Sequence, residues 1–472
     1  MKNEKGLPSS TYDDIDGQGN RSGEARAQEI GRVRVRGGGE GNEDEEEEEE
    51  GKVNMHKHRM DLRVDRAEGV CTLKIATSLV CMVAGTGTLS MPYAVAQSGW
   101  LGVVIVMLAL FMSTTTGNML IQCLYLNTDR RRSSFQQIAR DAYGSMGHYI
   151  AVGAVGINLF GCAILYIILA STLIHGMVAN PNDPSVPPST FFIGCSLFVW
   201  VCLIFTKSMK EIAVLSLIGA GATVGVVMIT VGVSAEMVIH RAVEAVAATH
   251  QFADWSKVPL SLATMSYAYG GNVVYPQVEQ TMKHPRKWST ALWLALSTCF
   301  VMYISIAVAG YLAFGNLTMN PILENLPHGV WSTLANSLIT LHVLLAAPIL
   351  LASFAVMIED SIAARAPAFE QGTKSQQFLK RATSRTIVIL FAGLVASALP
   401  YFGDLMDLLG ALATCLLVYV MPVLFYYRLG GMKNVFWLNQ MWIWFIFVVG
   451  MVVIVVGTYD ATKHLIEDIQ HH

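Results

Sequence analysis

From residue 70 onward the chain repeats one pattern: an apolar run long enough to cross roughly 30 Å of hydrocarbon, a short polar gap, then another run. Eleven runs are read, numbered here as segments 1 to 11, at 70–97, 100–126, 148–176, 190–206, 212–234, 258–282, 289–314, 330–358, 384–402, 404–427 and 438–460. Water cannot satisfy a peptide group at that depth, and no run alternates as a barrel strand would, so each segment must be helical. The expectation is an all-α integral membrane domain over residues 67–460. Charge agrees: residues 70–472 hold 17 acids and 20 bases, far below the roughly 25% of a water-soluble domain. Nucleic-acid binding and soluble catalysis are not expected, and the natural surroundings are a lipid bilayer.

Residues 1–66 form a polar, Gly- and Glu-rich tail with Arg32, Arg34 and Arg36 ahead of the acidic run Glu43 to Glu50. Such a segment buries too little apolar surface to offset its ordering entropy, so a disordered acidic tail is expected. Within it, Tyr12-Asp13-Asp14-Ile15 fits a tyrosine-based sorting signal whose partner would be a sorting adaptor. The first 20 residues lack a secretory apolar core, so the first segment directs insertion. The eight cysteines lie in or beside apolar runs and show no disulfide or metal spacing, so no cofactor or metal is expected.

Lys and Arg in alternate loops set the orientation. With the tail cytoplasmic, that side collects 21 of them and the opposite side 3, namely Arg241, Lys257 and Lys463. An odd number of crossings then leaves residues 461–472 as a short non-cytoplasmic tail. Asn316-Leu317-Thr318 is a glycosylation sequon on the non-cytoplasmic side, whereas Asn20-Arg21-Ser22 falls in the cytoplasmic tail.

Segments 1 and 6 are poor continuous helices. The first reads Ala84-Gly85-Thr86-Gly87-Thr88-Leu89-Ser90-Met91-Pro92; the second reads Tyr267-Ala268-Tyr269-Gly270-Gly271-Asn272, then Pro276. Gly permits non-helical backbone, Pro removes a donor, and hydroxyls re-satisfy freed groups. Paired breaks five segments apart point to a five-plus-five inverted repeat with a binding site at mid-depth. Unwound backbone presents amides to a carboxylate and carbonyls to an ammonium, so a small amino acid is the expected ligand. Its expected contacts are Ala84, Gly85, Thr86, Gly87, Thr88, Tyr267, Tyr269 and Gly270, with Asn158 and Thr340 from segments 3 and 8.

The string GTGTLSMPYAVAQSGW at 85–100 resembles the first-helix signature of the amino acid/auxin permease family. SYAYGGNVVYPQVEQTMKHP at 266–285 is similar to its sixth-helix pattern, and the likeness extends over roughly residues 66 to 460. It implies eleven helices, an inverted repeat with discontinuous helices 1 and 6, and amino acid transport. The chain looks most like the vacuolar and vesicular branch, which implies a vacuolar, lysosomal or vesicular membrane rather than the plasma membrane. At the positions where sodium-coupled members carry ligands, this chain has Cys81 and, around Pro348, Leu344, Ala346 and Ala347. The resemblance therefore implies protons rather than sodium.

Intramembrane ionisable groups are few: Lys74, Glu279, His342 and, nearer the ends, His175, Asp404 and Asp407. Glu279 is the proton-coupling candidate, on one helical face with Tyr275; the alternatives are a helix pair with Lys283 or a gate contact with Lys74. Thr333, Asn336 and Thr340 share a polar stripe expected to face the cavity, with His342 turned about 200° away from Thr340. Asn158, Cys162 and Tyr166 form a second stripe. No acid at mid-depth would hold a cationic side chain, so a neutral substrate is expected. A carrier leads over a sensor signalling through the tail and over a channel.

Overall fold

The computed structural model describes residues 65–178, 187–205, 209–244, 248–365 and 373–471. The Tyr12 to Ile15 motif, the arginine and glutamate runs of the tail and the Asn20 sequon lie outside the described residues.

Segment 1 becomes two helices, α1 (Thr72–Val83) and α2 (Met91–Ser98), joined by a 3-10 turn at Thr86–Ser90. Then come α3 (Leu101–Cys123), α4 (Phe135–Val178), α5 (Pro188–Phe205) and α6 (Met209–Glu244). Segment 6 is likewise divided, into α7 (Val258–Ala268) and α8 (Tyr275–Gln280). There follow α9 (Trp288–Phe314), α10 (Val330–Arg365) and α11 (Lys374–Ala398). Segment 10 is α12 (Phe402–Leu409) and α13 (Met421–Arg428), linked through π-helical turns at Gly410–Thr414 and Leu416–Val420. The last run is α14 (Trp437–Val452) and, after a further π-turn, α15 (Thr458–His471). Residues 461–471, expected as a tail, thus continue as helix.

Among the described residues the fold is helical without a sheet, its one bridge pairing Val70 with Met282. Eight helices are long and apolar enough to cross a membrane, and the bent pair α1 and α2 makes a ninth. Local chemistry explains the boundaries. Both divided segments restart with a proline, Pro92 or Pro276, in the first turn, where a missing N–H leaves no bond unmade. Thr373 and Gln376 form a reciprocal capping box at the start of α11. On α11, Ile387, Leu390 and Leu394 are each more than 60% exposed. A one-sided apolar face of that kind suits lipid rather than water.

Helix association in lipid depends on close packing rather than on expulsion of water. The two broken segments show how close. A methyl group added at Gly87 would lie 2.6 Å from the Ala268 Cα, so only glycine lets the two breaks touch backbone to backbone. Where the chain enters, Gly69 has the same role against Lys283, whose Cα would be 2.3 Å away. Beside that contact the Val70 amide donates to Thr281, and the Lys283 amide donates to Val70, each at 2.8 Å. The start of segment 1 is thereby fastened to the end of segment 6.

Candidate substrate site

The helix axis turns by 57° between α1 and the run that holds α2. At the turn the Ala84 amide still donates to Val80, Gly85 donates to Val83, and Thr88 closes a 3-10 turn onto Gly85. In segment 6 the Gly270 amide donates to Tyr267 and Gly271 to Tyr269, so the backbone leaves the helix through tight turns. Tyr303 of α9 joins the two breaks. Its hydroxyl lies 3.1 Å from the Val83 carbonyl and 2.8 Å from the Ala268 carbonyl, the last residues of α1 and α7. These two carbonyls at the breaks therefore already have an internal donor. A tyrosine buried in an apolar helix needs such a partner, and that was the signal for it in the sequence.

The breaks open onto a cavity of about 250 Å³, just under the roughly 300 Å³ at which pockets for drug-sized ligands begin. Gly85, Thr86 and Gly87 form one wall, and Tyr267 and Gly270 another; Asn158, Cys162 and Tyr166 reach in from α4, and Thr414 from the first π-turn. The Asn158 side chain donates to the Thr414 hydroxyl at 3.0 Å, and the Thr86 and Tyr267 hydroxyls stand 3.4 Å apart. The rest of the wall is mostly apolar, with Leu345, Ala346, Ile349 and Leu350 of α10 and Cys81 of α1, and His342 and Ser353 of α10 add polar atoms. No lining residue is Asp, Glu, Lys or Arg.

Six of the ten expected contacts line this cavity: Gly85, Thr86, Gly87, Tyr267, Gly270 and Asn158. The other four do not. Ala84 and Thr88 are buried outside the lining set, and the Tyr269 ring packs on Tyr303 with centroids 5.1 Å apart. Thr340 is buried off the wall; His342 faces the cavity in its place, and Thr333 is exposed. The expected rotation of α10 is thus corrected. The helix is apolar round most of its circumference, so its pattern carries no strong facing signal, and packing on α4 and α6 decides. Gly219 of α6 makes the room: a methyl group there would come within 2.2 Å of the His342 Nδ1.

Glu279 lies away from the cavity, wholly buried, at the end of the bundle where the chain enters. Arg131, from the connection between α3 and α4, holds one carboxylate oxygen with Nε at 2.8 Å and Nη2 at 2.7 Å. Arg66 reaches the other at 3.2 Å, and Tyr125 donates to it at 2.6 Å. Neither expected lysine pairs with Glu279: Lys74 is exposed, and the ion pairs run to Arg66 and Arg131. Arg131 was visible in the sequence only as one base in an orienting loop. His175 stacks edge-on against Phe191. Asn316 is exposed, and its side-chain oxygen accepts from Tyr311 at 3.4 Å.

The profile of the family described as transmembrane amino acid transporter protein matches residues 70–463. The chain belongs to this family. Among curated relatives, the Arabidopsis thaliana amino acid transporter AVT1C is 26% identical over 430 residues, covering 88% of this chain and 72% of that protein. The vesicular inhibitory amino acid transporter of Xenopus laevis is 25% identical, covering 82% and 75%. Among solved structures, a Na+-coupled sialic acid symporter in its substrate-bound outward-open state aligns at a TM-score of 0.52 with 12% identity, covering 86% of this chain and 91% of that one. The inward-facing conformation of Mhp1 aligns at 0.50 with 13% identity, covering 86% and 93%. The transporter fold is shared at an identity where sequence alone would show little. A multi-pass amino acid transporter, rather than an enzyme, is what this family membership establishes.

Proposed function

We propose that the protein is a proton-coupled secondary transporter of a small neutral amino acid, working by alternating access. The observation that carries this is the uncharged cavity walled by the backbone of both breaks. A first helical turn has unpaired amides that suit a carboxylate, and the Thr86 and Tyr267 hydroxyls stand beside them. With no Asp, Glu, Lys or Arg in the lining, where His342 is the one basic side chain, a charged side chain on the substrate has no ion-pair partner of fixed charge there. Eleven crossings in a five-plus-five repeat are part of the proposal. The apolar helix at Pro188–Ile204 and the α7 and α8 pair supply the two beyond the nine long ones.

The tail is cytoplasmic in this proposal, and the bases Arg66, Arg131 and Lys283 cluster at the same end of the bundle in keeping with it. That end is closed by Glu279, which we assign as the carboxylate of a cytoplasmic lock. The likeness to a vesicular transporter supports an endomembrane location, with a sorting adaptor reading Tyr12 to Ile15 and Asn316 facing the lumen.

The test is uptake of labelled alanine, leucine and glutamine into proteoliposomes under a pH gradient, with and without sodium. Accumulation that follows the pH gradient and ignores sodium is expected; sodium dependence would refute the coupling. Gly87→Val should abolish binding, because its side chain meets the Ala268 backbone, while Gly85→Val should weaken binding less, its nearest neighbour being the Tyr166 hydroxyl at 3.3 Å. Binding without any uptake would favour a sensor over a carrier.

A further inference from the structure

At the end of the bundle opposite Glu279 there is a second buried carboxyl in different company. Asp407 of α12 is 2% exposed, and its hydrogen-bond partner is the hydroxyl of Thr264 on α7. Among the described residues no Lys, Arg or His pairs with it. Its position joins α12 to α7. Thr264 stands one helical turn before Tyr267 at the break of segment 6. Three residues after Asp407 begins the π-turn that brings Thr414 to the cavity. π-Turns inside helices are frequent at functional sites.

The ionisable groups facing Asp407 come from several elements. Asp404 lies on the same face of α12, three residues away; α15 brings Asp468 beside Asp404. Tyr93 of α2 is near enough to feel the charge of all three acids. The bases of α15 are engaged elsewhere, His464 with Lys257 at 2.8 Å and Lys463 with Glu467 at 3.7 Å. The α7 face presents Thr264, and α4 meets α12 with Gly161 against Leu409, without a charge.

We propose that Asp407 binds and releases the transported proton, and that Asp468 and Asp404 form its approach from the compartment opposite the Glu279 lock. This rests on the proton-coupled reading above. A carboxylate removed from water without a cation is so costly that the group takes up a proton, and readmitted water removes that cost. Closure of α7 onto α12 buries the carboxyl and holds the proton; separation of the two exposes it and lets the proton leave to water. The Thr264 hydroxyl makes the bond that closure completes. Glu279, in contrast, is met by two guanidiniums.

The experiment compares wild-type protein with D407N and D407E in proteoliposomes holding a pH dye and labelled alanine. One pH unit coupled to one proton supports a roughly tenfold concentration ratio. Wild type is expected to approach that ratio with proton flux accompanying alanine. D407N should fall to a ratio of about one with no proton flux, yet still exchange internal for external alanine, and D407E should recover part of the accumulation. Gradient-driven accumulation by D407N equal to wild type would overturn the proposal. So would equal loss of exchange and accumulation in both variants, which would make Asp407 a packing group. A wild type that exchanges alanine but is indifferent to the pH gradient would overturn the proton-coupled reading itself, a separate result.

Discussion

Glu279 and Asp407 are both carboxyls almost wholly withdrawn from water, and they differ in what surrounds them. Glu279 is met by two guanidiniums and a phenol drawn from the chain entry and the α3–α4 connection. Asp407 meets one hydroxyl. A buried charge that is matched on both oxygens fastens elements together and is strongly destabilised when one partner goes. An unmatched one is inexpensive only while it carries a proton. Residue type and burial are therefore alike in the two carboxyls, and the partners are what differ.

That contrast can be broken at several points. The largest expected effect is from Arg131→Ala, which strips two contacts from a buried carboxylate and should destabilise the closed state by about 3–5 kcal/mol. The unfolding midpoint of the purified protein measures it, and a drop equivalent to less than about 1 kcal/mol would mean that Glu279 is no lock. Next comes Tyr303→Phe, which leaves the buried Val83 and Ala268 carbonyls without their shared donor at a cost of about 1–3 kcal/mol. Its signature should be weakened substrate binding together with the stability loss, because both breaks loosen. Stability loss with unaltered affinity would separate Tyr303 from the site. The smallest effect on stability is expected from Thr264→Val, about 0.5–1.5 kcal/mol for one hydrogen bond. It should nonetheless alter the response of transport to a pH gradient. If it proved as destabilising as Arg131→Ala, with transport unaltered, the two carboxyls would not differ in kind.

Much of the site was legible in advance because it rests on backbone chemistry. Gly85, Gly87 and Gly270 stand where a helix cannot continue, each break restarts on a proline, and these are local facts of the chain. Asn158, Cys162 and Tyr166, at i, i+4 spacing on α4, also reach the cavity as one stripe. The face of α10 was not legible. Thr340 and His342 are both plausible polar residues in an apolar helix, and only the neighbours α4 and α6 select between them. Tyr303 is a lone phenol in a long apolar run until the ends of α1 and α7 are brought to it.

What the sequence determined by itself is whatever depends on the chain's own covalent geometry and on its solvent. Apolar length dictates helices in lipid, and Gly and Pro mark where two helices are interrupted. What the tertiary structure decided is every pairing across long separations: Glu279 with Arg66 and Arg131, Asp407 with Thr264, His342 against Gly219. The physical reason is that a charge or hydroxyl in a low-dielectric interior takes its character from groups within a few ångströms. Those groups can lie far away along the chain, as Arg66 does from Glu279 at 213 positions.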